Sequence, residues 1–288
     1  MTTSFSLATL VGALEAAGEF IGPLNWEASN REQRRLLKRY GRYAESIKHM
    51  PSLKSWAKRT AEEINAILAE NGFDIRLNSW GNDPTKFGTV SINDIFVEWP
   101  ESGDETQLHV GDVSYPAFSS KRFEILWVEG SEEPIIKLST KGDETVFICV
   151  APDPGGQFKL IKAVEKLRKK PMRAGKKIDR VIIPMVKLDQ KPDLKWLVDP
   201  ENGALHSGPW YIEQALQQVK FGMNQHGARA KEATALGVVF RGAGPRLEIY
   251  RVDRPFLVWM EHPKVDVPIF QAHITEEDWK DPGDLSSL

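Results

Sequence analysis

The most constraining feature is a long connection between two strands. An apolar strand, Ala215 to Met223, runs into Asn224-Gln225-His226-Gly227. Eight mostly small residues follow, Ala228-Arg229-Ala230-Lys231-Glu232-Ala233-Thr234-Ala235, and a glycine-punctuated stretch then reaches Pro245. The next strand begins at Leu247-Glu248-Ile249-Tyr250, which alternates with a period of two. Long connections without secondary structure are uncommon in a compact domain and usually carry function.

The texture of the rest is uneven. Leu7, Leu10, Val11 and Leu14 recur at helical spacing. Glu32 to Tyr43 is strongly basic on one side, as a solvated helix face would be, and Ser52 to Asn71 reads as a third helix with Asn71-Gly72 as its stop. After Gly72 the pattern becomes strand-like at residues 90–99, 122–128, 134–139, 146–150, 181–188, 257–260 and 267–272. Lys159 to Lys170 reads as a short helix after the Pro152-Asp153-Pro154-Gly155-Gly156 turn, and Asp193 to Val198 as a helix start. Helices first and strands later predict an α+β fold. No linker divides the chain, so residues 1–288 are expected as one domain, mainly helical over 1–72 and mainly sheet over 73–288.

Composition excludes several classes. Lys and Arg number 38 against 40 Asp and Glu, a net charge of −2 that argues against a globally basic nucleic-acid binder. No apolar run is long enough to span a bilayer, so no membrane partner is expected. Cys149 is the sole cysteine, which forbids an internal disulfide and fits a reducing compartment. Leu7 to Gly18 has no preceding Lys or Arg and includes Glu15, so a cleaved signal peptide is disfavoured and a cytoplasmic protein is expected.

Nothing points to catalysis. The six histidines show no metal-ligand spacing, and there is no G-x-S-x-G elbow, phosphate loop or dinucleotide fingerprint. Cys149 lies in an apolar strand and reads as a structural thiol. No enzyme activity, metal or cofactor is expected. One charged run stands apart: from Lys159 to Arg180, ten cations are opposed only by Glu165 and Asp179. A solvated surface is the simpler reading and polyanion binding the sharper one.

The order of several short segments resembles the serpin family. Asn224, Gly227, Ala228, Ala230, Ala233 and Thr234 match that family's hinge, and Asp253-Arg254-Pro255-Phe256-Leu257-Val258 is similar to its Asp-His-Pro-Phe-Leu-Phe strand. Upstream, Leu53-Lys54-Ser55-Trp56-Ala57 looks like its Asn-Ser-Trp-Val helix start. Thr89 to Phe96 with Trp99 looks like its central strand, and Lys141-Gly142-Asp143-Glu144 like a strand start. Val181-Ile182-Ile183-Pro184-Met185 and Asp193-Leu194 resemble two further pieces, and Phe20-Ile21-Gly22-Pro23-Leu24-Asn25 echoes the Phe-Ser-Pro-Leu-Ser helix start.

The resemblance implies a fold with a large central mixed sheet, smaller sheets, N-terminal helices and an exposed reactive loop over about residues 228–247. It implies an inhibitor of serine proteases: the loop is cleaved as a substrate, then inserts as a strand into the central sheet and deforms the acylated protease. The alternative within the fold is a non-inhibitory binding protein whose loop is a substrate or contact surface. The hinge would be Gly227, Ala228, Ala230, Glu232, Ala233 and Thr234. Counting from Gly227 sets the scissile bond at Arg241-Gly242, which suits trypsin-like proteases; counting back from Pro255-Phe256 lands near Gly244. The sheet-opening region would be Asn93, Trp99 and Gln217, with Gly22 and Asn25 matching the family's helix serines. The stretch before Trp56 is short for this family, so one or two outer strands and their helices are expected to be missing. Glu232 falls on the inward side of an inserted hinge, a costly place for a carboxylate.

Overall fold

Ser6 accepts a hydrogen bond from the Thr9 amide at 3.3 Å and caps the first helix. That helix, α1 (Leu7–Ile21), follows a short strand, β1 (Thr3–Ser4), and buries Leu7, Leu10, Val11 and Leu14. In this computed structural model, residues 2–128, 131–169, 172–174, 178–199, 203–228 and 248–285 are described. Helix α2 (Arg31–Ile47) starts on a capping box of Asn30 and Gln33.

The third helix is shorter than expected. Residues 53–58 form a strand, β2 (Leu53–Lys58), and the helix proper is α3 (Ala61–Glu70), which starts on a second capping box of Thr60 and Glu63. Leu53 to Ala57 are therefore not a helix start. They pair antiparallel with β3 (Gly88–Asn93), Trp56 opposite Val90. Helix α1 packs on this strand pair at Gly12, where a Cβ would stand 2.5 Å from Ser91 Oγ and 2.9 Å from Ser55 Oγ.

The strands β4 (Val97–Glu98), β5 (Asp104–Val110), β6 (Val113–Ser120), β7 (Glu124–Val128), β8 (Ile135–Ser139) and β9 (Thr145–Val150) come next. Helix α4 (Gln157–Arg168) leads to β10 (Met172–Ala174), β11 (Arg180–Pro184) and β12 (Val186–Gln190). The last elements are α5 (Lys195–Val198), β13 (His206–Ser207), β14 (Trp210–Tyr211), β15 (Val219–Met223), β16 (Gly227–Ala228), β17 (Ile249–Arg251), β18 (Phe256–Glu261) and β19 (Phe270–Ile274). The apolar run 181–188, expected as one strand, divides at Met185 between two different sheets.

The class is α+β, as expected. Among the described residues the largest sheet has seven strands in the order β1-β19-β18-β9-β8-β7-β10, every neighbouring pair antiparallel. A mixed four-stranded sheet, β17-β11-β6-β5, holds the parallel pair β11-β17. The pairs β2-β3 and β12-β15 are separate two-stranded sheets, and they wall the candidate site. The main core joins α1 and α2 to the inner faces of these layers, while Ile64 and Leu68 of α3 cover Val90 and Ile92 on the outer face of β3. Among the described residues no helix is long and apolar enough to cross a membrane.

Candidate functional site, a slot between two strands

Among the described residues strand β3 pairs only with β2, and β15 only with β12, so each turns one edge away from its own ladder. Between those edges lies a cavity of about 890 Å³. One wall is the continuous run 209–222 and the other is 85–95; Leu10, Leu14 and Ala17 of α1 form the floor, and Ile64 and Leu68 of α3 part of the roof. An open strand edge is a row of unpaired N–H and C=O groups, a template for another strand.

The upper end of the slot is closed by the hinge. Gly227 and Ala228 pair antiparallel with Glu98 and Val97, which continue the line of β3. Asn224 and Gly227 bridge back to the β15 side. These two residues are thus already a strand between the two walls. The turn 224–227 is held by Trp99, whose amide donates to His226 O (3.1 Å), and by the Gly103 amide, which donates to Gln225 O (2.7 Å). Asn224 Oδ1 accepts from the His226 amide at 3.0 Å. Gly227 is needed for close approach: a Cβ there would lie 2.3 Å from Val97 O.

Two amides sit midway down, one on each wall. Gln217 Oε1 accepts from the Ser6 amide (3.0 Å), and its Nε2 donates to Ser6 O (2.8 Å) and Thr9 Oγ1 (3.2 Å). Asn93 accepts from Ser52 Oγ and donates to Ile269 O, both at 2.7 Å. Each amide anchors its own wall to the body, and the two do not bond to each other. Gly22 and Asn25 take no part, contrary to the sequence reading. Gly22 caps the far end of α1 at φ 103°, and the Asn25 amide donates to Ser207 Oγ. The 15 residues of α1 put that end roughly 22 Å from Ser6. The serine that faces the slot is Ser6, and its signal was an N-cap directly before the apolar run.

Comparison with known proteins returns one pattern. No family model matches the chain. Human Serpin I2 is 26% identical over 172 residues, covering 54% of this chain and 42% of that protein, so the chain spans less than half the length of this curated relative. Human glycosylated kallistatin superposes with a TM-score of 0.59 at 12% identity, covering 98% of this chain and 93% of that one. Serpin48 of the insect Tenebrio molitor, a highly specific serpin, gives 0.54 at 13% identity over 95% and 91%. A thyroxine-binding globulin in complex with thyroxine gives 0.55 at 12% over 95% and 92%.

The chain has the serpin fold.

Within this serpin fold the expected residues divide into two groups. Gly227, Ala228, Asn93, Trp99 and Gln217 all lie on the slot or its upper rim. Ala230, Glu232, Ala233, Thr234, Arg241 and Gly242 lie outside the described residues. Sequence reasoning missed the strap over the slot. Gln218 Oε1 accepts from the Asp74 amide (3.0 Å), Gln214 Oε1 from the Asn78 amide (2.7 Å), and Lys220 Nζ donates to Gly72 O (2.9 Å). The pairs 72 with 220, 74 with 218 and 78 with 214 keep one antiparallel register. Residues 72–78 therefore run antiparallel to the wall, bridged by side chains instead of a backbone ladder. Phe73, Ile75 and Leu77 pack toward α3 and β3, which roofs the slot.

The basic run of this serpin fold is only partly a free surface. Lys159, Lys162, Lys166 and Lys169 are exposed. Arg168 pairs with Glu261 at 2.8 Å and Arg180 with Asp104 at 3.8 Å, while Lys170, Lys176, Lys177 and the Arg173 side chain lie outside the description. Glu165 is the seam to α2: Arg39 and Arg42 reach it at 3.2 and 3.7 Å. Cys149 is buried, and desolvation, aided by the Glu133 charge, pushes its thiol up to about 12. Among the described residues no group of His, Cys, Asp and Glu is placed to hold a metal.

Proposed function

We propose that this chain is a serpin-like inhibitor of serine proteases. Segment 228–247 is the reactive loop, cleaved at Arg241-Gly242 by a trypsin-like enzyme. The attacking serine forms an ester with the Arg241 carbonyl, the Gly242 amine leaves, and the freed hinge enters the slot before water can complete hydrolysis.

The observation that carries this reading is the slot, begun by Gly227 and Ala228. Continued from the Asn224–Gly227 bridge, residue 229 would stand opposite Gly222 and residue 242 opposite Pro209, so the fourteen residues 229–242 match the fourteen-residue wall 209–222. Continued from the pairing with β4, residue 232 would stand opposite Asn93 and residue 234 opposite Ser91. Both registers agree on which side faces in. Phe221, Val219 and Gln217 face the body on one wall, and Val97 and Ile95 on the other. Ala228, Ala230, Glu232 and Thr234 would then share the inner face, with Ala233 outward. Filling the gap adds two ladders of backbone hydrogen bonds, the free-energy source for trapping the protease.

A second reading, a non-inhibitory binding protein, draws on Glu232, whose carboxylate on the inner face burdens insertion. The exposed lysines of α4, beside α2, would be its contact surface for a polyanion. Incubation with trypsin followed by a denaturing gel separates the two. An inhibitor gives an SDS-stable adduct and a released C-terminal peptide starting at Gly242. Clean cleavage with no adduct and no rise in melting midpoint overturns inhibition, and failure to be retained on a heparin column at low salt overturns the polyanion reading.

A further inference from the structure

The turn that opens the hinge contains a titratable side chain in a defined hydrogen-bond network. His226 Nδ1 stands 3.3 Å from Ser102 Oγ, and its Nε2 3.1 Å from Gln225 Nε2. The same Gln225 nitrogen donates to Glu105 Oε1 at 2.5 Å. An amide nitrogen only donates. The contact therefore uses His226 Nε2 as an acceptor, with Nδ1 turned to Ser102 Oγ. Gln225 Oε1 is buried without a partner among the described residues, so the amide is oriented by its nitrogen alone.

A proton on Nε2 breaks this arrangement. It would place an N–H against the hydrogens of the Gln225 amide. Flipping that amide would serve the ring but would set Oε1 against the Glu105 carboxylate. Neither orientation of Gln225 suits a cationic ring. The alternative is a direct ion pair of the imidazolium with Glu105, with the Gln225 side chain displaced.

The surrounding charges favour that exchange. Segment 98–105 wraps the turn with four carboxylates. Glu98 is matched by Lys141 (2.6 Å), Glu101 by Arg122 (2.6 Å) and Asp104 by Arg180 (3.8 Å). Glu105 pairs with no cation among the described residues. From the C-terminal segment, Gly283 O accepts from Asn224 Nδ2 at 3.2 Å, and Asp281 and Asp284 stand beside it in the chain.

We propose that His226 is a pH-sensitive latch on the hinge. The neutral ring holds Gln225 in place, and through it the bonds of Gln225 O to Gly103 and His226 O to Trp99. Protonation releases Gln225 and loosens the turn at the mouth of the slot. Its regulatory meaning rests on the loop-insertion reading, and its physical content does not.

Hydrogen exchange of the intact, uncut chain tests it at about pH 5.5 and about pH 7.5, corrected for intrinsic exchange, the range in which histidine changes charge. The amides of Trp99, Gly103 and His226 should exchange about fivefold faster in acid, the worth of one neutral hydrogen bond. His226→Gln should remove the difference, and Glu105→Gln should weaken it. Equal protection at both pH values, or the same acid acceleration in His226→Gln and Glu105→Gln, overturns the proposal. The measurement needs neither cleavage nor insertion. A loop that never inserts therefore sinks the inhibitor reading alone, and an acid-insensitive hinge on an inserting chain sinks this one alone.

Discussion

The indole N–H of Trp99 donates to the buried carbonyl of Asn224 at 2.9 Å, tying the strand line of β3 to the last residue before the hinge turn. The ring itself stacks on Phe118 with centroids 6.3 Å apart. Trp99→Phe keeps an aromatic face and orphans the carbonyl. Urea denaturation of that variant should show a loss of about 1–3 kcal/mol, the cost of an unsatisfied buried acceptor.

Gly227→Ala tests the close approach at the hinge. Its Cβ would meet backbone, Val97 O at 2.3 Å and Glu98 Cα at 3.0 Å, so no side chain can yield. The turn should detach from β4, with a stability loss of about 1–3 kcal/mol. Proteolysis between Asn224 and Ala228 should become faster than in the parent chain.

Glu232→Ala addresses the inner face of the inserted hinge. Opposite Val219 and Asn93 the carboxylate would lose its water, a cost of several kcal/mol or about half that if Asn93 donates to it. The cleaved variant should melt later than the cleaved parent, while the uncut forms melt together. Equal midpoints for the cleaved forms would place residue 232 outside the sheet.

The strap is tested by Gln214→Ala combined with Gln218→Ala. The amides of Asp74 and Asn78 lose their acceptors and should exchange faster. The Leu77 amide is held by Asn65 Oδ1 at 2.8 Å and should keep its protection. Uniform acceleration across 72–78 would mean that the strap opens as one piece and that the glutamines do not latch it locally.

Cys149 should be silent in the folded chain. With the thiol pushed up to about 12, almost no thiolate forms near neutrality. Ellman's reagent should react only at the rate of global unfolding, and rapid labelling of the native protein would contradict the burial found here.

Local patterns were readable where one periodicity dominates. Leu7, Leu10, Val11 and Leu14 announced α1, and the runs at 122–128, 134–139 and 146–150 announced β7, β8 and β9 to within two residues. Residues 53–58 misled because Leu53 and Trp56 also fit a helical stripe with Ile64. What decides them is a neighbour remote in sequence, the β3 strand, and a glycine on α1 that lets both serines approach.

By itself the sequence determined that a strand ends near Met223 in a small-residue hinge, that the chain is α+β, and that its order of motifs follows the serpin pattern. These depend on side-chain spacing and on the conformational freedom of small residues, which are local properties. Tertiary structure alone decided that β3 and β15 face each other across a cavity, that Gln217 anchors to Ser6, and that Gln225 bridges His226 to Glu105. Ser6 and Gln217 are 211 positions apart and Glu105 and Gln225 are 120 apart. Hydrogen bonds of that range arise from how layers pack, and no window of neighbouring residues encodes the packing.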